Sequence, residues 1–454
     1  MARRGDGSGD EAVLDGIRST AVPLEGALRD YDRLLDEIGD SRFVLLGDGT
    51  HGTEEFYRER ELITRRLIAE KGFTAVAVEA DWPDAYRANR FVRGLSSDQS
   101  GEEALRGFLR FPTWMWRNEP VVDFLDWLHD YNDTHHDPWS AVGFYGLDLY
   151  SLHSSVAEVI AYLAQRDPEA AKRARVRYGC FDRSDGGDAQ KYGLLAANAP
   201  ELSCEKEVVE QLVELLEARA DYGAEEAALA EDEFFYAEQN ARLAKNAEEY
   251  YRLMYRGGVS SWNLRDRHMA ETLAALDAHL SQRFDDEARI VVWAHNSHLG
   301  DARATSMGRA GELNLGQLVR EQQGRKAFLL GFTTFDGEVT AASNWDEHAE
   351  RKRVRPALEH SYERLFHRTG LERFFLPLRD PGEALGGLAE ERLQRMIGVI
   401  YRPQTERQSH YVYADLVKQF DGIVHLDRTS ALRPLEPTEL WHGGEAPETY
   451  PFGF

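Results

Sequence analysis

Several things are scarce in this sequence, and each scarcity removes a class of protein. Its 454 residues include only two cysteines, Cys180 and Cys204, too few for a disulfide framework or a thiolate metal site. No apolar run approaches the ~18 residues of a membrane-spanning helix. Basic residues are outnumbered, 54 Lys and Arg against 79 Asp and Glu, for a formal net charge of −25. That field repels nucleic acid and anionic membranes and suits a neutral or cationic small substrate. The opening MARRGDGSGDE has two arginines and no apolar stretch behind them, which is not the pattern of a secretory signal. Together these features predict a soluble, cytoplasmic protein of a reducing compartment whose partner is a small molecule. Catalytic templates are missing too. There is no GxSxG elbow, no Walker GxxxxGK[ST], no GxGxxG and no HExxH, so neither a serine-elbow nucleophile nor a nucleotide is expected.

What the chain does have is a large core. With 42% hydrophobic and 11% aromatic residues it is not a disordered sequence. Short runs rich in Val, Ile and Phe recur with helical patterns between them: FVLLG (43–47), TAVAVE (74–79), AVGFYGLD (141–148), RIVVWAH (289–295), KAFLLGF (326–332), RMIGVIY (395–401) and GIVHLD (422–427). Alternation of this kind predicts an α/β fold with a largely parallel central sheet flanked by helices. Between 151 and 288 the spacing is helical throughout, as in VVEQLVELLEAR and RDRHMAETLAALDAHL, and predicts a helical insertion between the two halves of the core. The expected divisions are 1–40 for an N-terminal flexible segment and first helix, 41–150 for the first half of the core, 151–288 for the insertion, and 289–454 for the second half. YGCFDRSDGGDAQKYG (178–193) reads as loop, and the tail HGGEAPETYPFGF as irregular.

Ligands of parallel sheets bind beyond the carboxyl ends of the strands, and there the polar residues of this chain collect. FVLLG leads into Asp48 and His51, TAVAV into Glu79 and Asp81, VGFYG into Asp148, and IVVWA into His295 and His298. The glycines of LLGDGTHG are expected to let Asp48 and His51 approach each other. On the following helix Arg60 shares the apolar stripe of Phe56, Ile63 and Leu67. A guanidinium facing a core needs a carboxylate, and Asp48 or Glu79 is the expected partner, either as a structural ion pair or as part of an active site. Asn296 is placed to donate an amide hydrogen bond beside the two histidines. Trp114 and Trp116 precede a helix whose first turn Pro120 marks; they form either an apolar wall for a ligand or part of the core. Two catalytic routes fit this set. In one, a histidine is the general base on water and carboxylates fix its tautomer, while Arg60 and a second imidazole stabilise an oxyanion. In the other, Asp48, His51, Glu79, His295 and His298 hold a divalent metal such as Zn or Mn that activates the water. A binding protein that no longer turns over is a third reading.

These stretches, with GDGTHGTEEFYRER, FPTWMWRNEPVVDFLDWL, GFYGLDLYSLH, SSWNLRDRHMAETL, IVVWAHNSHLGDARA and IGVIYRPQTERQSHY, resemble the erythromycin esterase family from about residue 40 onward. The resemblance implies hydrolysis of an ester or lactone, no required metal or other cofactor, and a histidine that activates water. Carried over by motif, it implies His51 as base with Glu79 and Arg60 around it and His295 and His298 opposite. One position departs from the pattern. The family writes Gly-Glu-x-x-His where this chain has Asp48, a carboxylate one methylene shorter. Many relatives of this general look have no assigned substrate, and an acyl-transfer or biosynthetic enzyme is an alternative reading, so macrolide specificity does not follow from it.

Overall fold

Apolar residues alternating with a period of two, buried on both sides, build the centre of the molecule. The computed structural model describes residues 7–135, 139–183, 188–218, 228–255 and 259–443. Its strands are β1 (Val22–Pro23), β2 (Phe43–Leu46), β3 (Ala75–Asp81), β4 (Gly143–Asp148), β5 (Ile290–Trp293), β6 (Ala327–Ala341), β7 (Glu350–Val354), β8 (Arg373–Pro377), β9 (Arg392–Arg395), β10 (Tyr411–Ala414) and β11 (Gly422–Thr429). The main sheet runs β1-β8-β11-β6-β2-β5-β3-β4, with β7 added to β6. From β11 to β4 every neighbouring pair is parallel. β8, β1 and β7 are antiparallel additions. In the middle, Phe43–Leu46 of β2 lies in register with Ile290–Trp293 on one side and Ala327–Leu330 on the other.

Alternate residues feed two cores. Phe43, Leu45, Ala77, Val292 and Leu329 face one, and Val44, Leu46, Val78, Trp293 and Leu330 face the other. Helices Glu54–Lys71 and Glu119–His135 pack on the second face. Between β4 and β5 all regular structure among the described residues is helical, ending in the long helices Ala228–Met254 and Ser260–Phe284, which pack on the first face. None of the described helices is long and apolar enough to cross a membrane.

Four expectations need correction. Within 1–40, residues 7–38 carry two helices, a 3-10 turn and the edge strand β1; residues 1–6 lie outside those described. Stretch 178–193 ends one helix and begins another, with a 3-10 turn at Gly179–Arg183; 184–187 lie outside the described residues, as does most of the tail, 444–454. Only Arg395 of RMIGVIY is in a strand, at the end of β9, which pairs with β10 in a two-stranded sheet of its own. The rest is buried or half-buried because it runs beside the loop after β2, where Ile397 N–H donates to Gly49 O and His51 N–H to Ile397 O. Lastly, Cys180 and Cys204 are joined in a disulfide, so they are not the free thiols expected of a reducing compartment.

Candidate active site

The loop after β2 is glycine-rich because of crowding. A Cβ on Gly47 would sit 2.1 Å from Asn296 Oδ1, and one on Gly52 would sit 1.8 Å from Thr340 O. Neither glycine needs a left-handed backbone. They let the chain press against β6 and the β5 loop, and that contact fixes where Asp48 and His51 point.

Asp48 is buried and ion-paired to Arg60, whose Nη1 lies 2.9 Å from Oδ2. Arg60 itself is buried, its guanidinium 4.4 Å from the Tyr57 ring centre and 5.3 Å from that of Trp293. The other Asp48 oxygen, Oδ1, is 3.5 Å from His51 Nδ1 and 3.9 Å from His295 Nε2. All three atoms are buried and find no hydrogen-bond partner among the described residues. The short aspartate therefore stops just outside hydrogen-bonding distance of two imidazoles. Burial pushes the Asp48 carboxyl up, but His51 and Arg60 outweigh it and hold it below the usual carboxylate range.

Glu79 completes the centre. Its Oε2 accepts the backbone N–H of His295 at 2.9 Å, and its Oε1 accepts Arg265 Nη2 at 2.7 Å. His298 Nε2 and His51 Nε2 lie 3.4 and 3.9 Å from the same oxygen. Burial opposes the charge, yet His298, His51 and Arg265 hold the carboxyl far below its ordinary value.

Proton positions on two rings follow from their neighbours. The Ser297 backbone N–H donates to His295 Nδ1, so the ring proton sits on Nε2. Burial first, and then the neighbouring His51, push the His295 pKa down to about 4; the ring is neutral at ordinary pH. Arg265 Nη1 lies 3.1 Å from His298 Nε2, and a guanidinium can only donate. In the neutral ring the proton is thus on Nδ1, facing the two Asp266 oxygens at 2.9 and 3.0 Å. Burial lowers the His298 pKa, but Asp266 and Glu79 outweigh it and the net shift is upward.

Helix Ser260–Phe284 delivers two residues that the strand-end argument does not reach. Arg265 binds Asp148 through Nε at 3.0 Å and Nη2 at 2.7 Å, and spans from there to Glu79 and His298. Asp266 is fully buried behind His298. A cleft of about 580 Å³ opens over this row and is lined by His51, Glu79, Asp81, Asp148, Arg265, His295 and His298. Its walls include Phe108, Trp116, Trp345 and the segment from Met396 to Ile400. Trp114 does not line it; that ring is packed into the core. Asn296 does not line it either. Its amide donates to Phe332 O at 2.8 Å and accepts Phe332 N–H at 3.3 Å, pinning β6 to the β5 loop. The metal-ligand set of the sequence reading is largely committed, because Arg60, Arg265 and the His295 N–H occupy three of its four carboxylate oxygens. Among the described residues no group of three or more His, Cys, Asp or Glu is arranged to hold a metal ion.

Imidazoles, carboxylates and arginines thus gather across the carboxyl ends of the parallel strands, where α/β sheets bind their ligands. The erythromycin esterase family model matches residues 68–429, and the chain belongs to that family of ester hydrolases. It is 24% identical over 418 residues to the erythromycin esterase type II of Escherichia coli, covering 88% of this chain and 93% of that one. Two solved structures share the fold. A Bacillus cereus protein has a TM-score of 0.78 at 21% identity, covering 94% of this chain and 99% of its own. A mutant of the erythromycin esterase EreC in its open conformation has a TM-score of 0.64 at 17% identity, covering 90% and 97%.

Proposed function

We propose that the protein hydrolyses a carboxylic ester or lactone without a metal, with His51 as general base. The observation that carries this reading is the set of three buried, unpartnered atoms: Asp48 Oδ1, His51 Nδ1 and His295 Nε2. Asp48 accepts the Nδ1 proton of His51 once substrate tightens the 3.5 Å gap. That leaves His51 Nε2 as the basic nitrogen facing the cleft. Water attacks the ester carbonyl carbon while giving its proton to Nε2. The resulting oxyanion is met by neutral His295, through Nε2–H, and by the guanidinium of Arg265. As the tetrahedral intermediate collapses, the imidazolium returns the proton to the leaving alkoxide, and acid and alcohol are released. Asp48, still paired to Arg60, supports the imidazolium in between. Arg60 and Arg265 provide the positive charge that a metal ion would otherwise bring to these carboxylates.

The test is His51→Asn, assayed on generic aryl esters such as 4-nitrophenyl butyrate. Turnover is expected to fall at least ~100-fold, the usual contribution of a general base, with the melting temperature close to that of the parent. A folded variant with near-normal rates would remove His51 from the mechanism.

A further inference from the structure

Every buried carboxylate of the catalytic row has a cationic partner: Asp48 has Arg60, and Glu79 and Asp148 share Arg265. Next to that row, Asp81 has Arg110 at 2.8 Å. Among the described residues, two other carboxyls on the cleft wall, Asp84 and Glu312, form no ion pair, and the charge of opposite sign acting on Asp84 is the Arg110 already paired to Asp81. The wall therefore carries five carboxyls, Glu79, Asp81, Asp84, Asp148 and Glu312, against the two guanidiniums of Arg110 and Arg265. A ligand that balances this surplus is positively charged.

Of the two unpaired groups, Asp84 has the better surroundings for a cation. It stands in the first turn of helix Trp82–Val92, under the segment that carries Phe108. Gly107 packs on it, where an added Cβ would lie in contact with Asp84 Oδ1 at 3.6 Å. Phe108 and Trp116 line the same cleft, their ring centres 6.4 Å apart. Aromatic faces attract ammonium groups, more strongly when water is excluded. Tyr150, in this cleft, already has two cations near its ring, Arg110 at 4.5 Å and Arg265 at 4.9 Å.

Resting on the esterase reading above, we propose that Asp84 is a specificity-determining carboxylate that takes the ammonium group of a cationic ester substrate. The charged groups acting on it give the site a pH dependence. Burial, chiefly, pushes the Asp84 carboxyl up to about 7, Asp81 and Glu158 add to the rise, and Arg110 opposes it. In the free cleft Asp84 is thus neutral below about pH 7 and anionic above it, so its hold on a cation strengthens as pH rises.

The experiment compares 3-(trimethylammonio)phenyl acetate with its carbon isostere, 3-tert-butylphenyl acetate, and measures binding of phenyltrimethylammonium by calorimetry. At pH 8 the parent is expected to show a KM about ten-fold lower for the cationic ester than for the neutral one. Asp84→Asn should lose that preference while keeping kcat on the neutral ester, and Glu312→Gln should retain it. At pH 6 the preference of the parent should shrink. An undiminished preference in Asp84→Asn would overturn the assignment, as would a loss confined to Glu312→Gln. If neither ester is hydrolysed but phenyltrimethylammonium still binds in an Asp84-dependent way, the esterase reading fails and the cation site stands. If esters are hydrolysed with no preference for the cation, the reverse holds.

Discussion

Two buried clusters of this protein use the same three side-chain types in opposite ways. In the helical layer both Asp232 oxygens are hydrogen-bonded, one to His279 Nε2 at 2.8 Å and the other to Arg93 Nη2 at 2.6 Å, with Arg283 Nη1 also 3.5 Å from the second. At the sheet edge Asp48 accepts only Arg60, and its second oxygen faces two imidazoles at 3.5 and 3.9 Å. In the first arrangement both carboxylate oxygens are satisfied, as is usual for a buried carboxylate. The second leaves donors and acceptor close but unjoined, beside a cleft. Composition alone does not tell the two clusters apart; they differ in whether both oxygens of the carboxylate are hydrogen-bonded.

The largest expected effects come from removing charge from each cluster. Arg60→Ala leaves Asp48 buried without a cation and is expected to cost ~3–5 kcal/mol in denaturant unfolding, with activity lost as well. Asp232→Asn should also destabilise, by roughly 1.5–3 kcal/mol for a charged hydrogen bond, yet leave kcat per folded molecule unchanged. Equal losses of kcat in the two variants would erase the distinction between the clusters.

A smaller effect is expected at Asp266. Asp266→Asn removes the charge that fixes the His298 tautomer, and kcat should fall roughly ten-fold, the equivalent of one charged hydrogen bond, with KM little changed. The pH–rate profile should shift as well, which a purely structural role would not produce. If only the melting temperature moves, Asp266 is not a positioning residue.

The smallest effect concerns acid stability. The His295 pKa is pushed down to about 4 in the folded state by burial and by His51, against ~6.5 unfolded. The unfolded chain therefore takes up a proton first as pH falls. The stability contributed is complete above about pH 6.5 and is lost on the way down toward pH 4. Between pH 7 and 5.5 the parent should lose about 1 kcal/mol more than His295→Asn. Parallel losses in the two proteins would show that His295 is not held neutral.

The grouping of Asp48, His51, Glu79, Asp148, His295 and His298 was legible in the sequence because parallel strands announce themselves as apolar runs, and their carboxyl ends fall at known positions. Arg60 was legible by helical phase. The same test applied to Ser260–Phe284 places Asp266 on the stripe of Met269, Leu273, Leu276 and Leu280, all buried, a signal that was present and not used. Arg265, one residue away, has no such mark, because its role arises only when an insertion helix meets strands far from it in sequence. Trp114 and Trp116 look alike in sequence and both are buried in the same core, and only the turn at Thr113–Met115 lets Trp116 reach the cleft wall as well. RMIGVIY reads as a strand because it is apolar, but it is buried by lying along the loop after β2. The glycines around Asp48 were visible, whereas the backbone atoms that require them come from β6 and the β5 loop.

The central claim is that His51, oriented by Asp48, activates water without a metal. The most direct measurement is elemental analysis of the purified protein and of Asp48→Asn, together with aryl ester turnover before and after exhaustive chelation. The account predicts no stoichiometric metal, full turnover after chelation, and a folded Asp48→Asn that is poor in catalysis because an amide does not support the imidazolium. Stoichiometric Zn or Mn in the parent, lost together with activity in Asp48→Asn or on chelation, would contradict it.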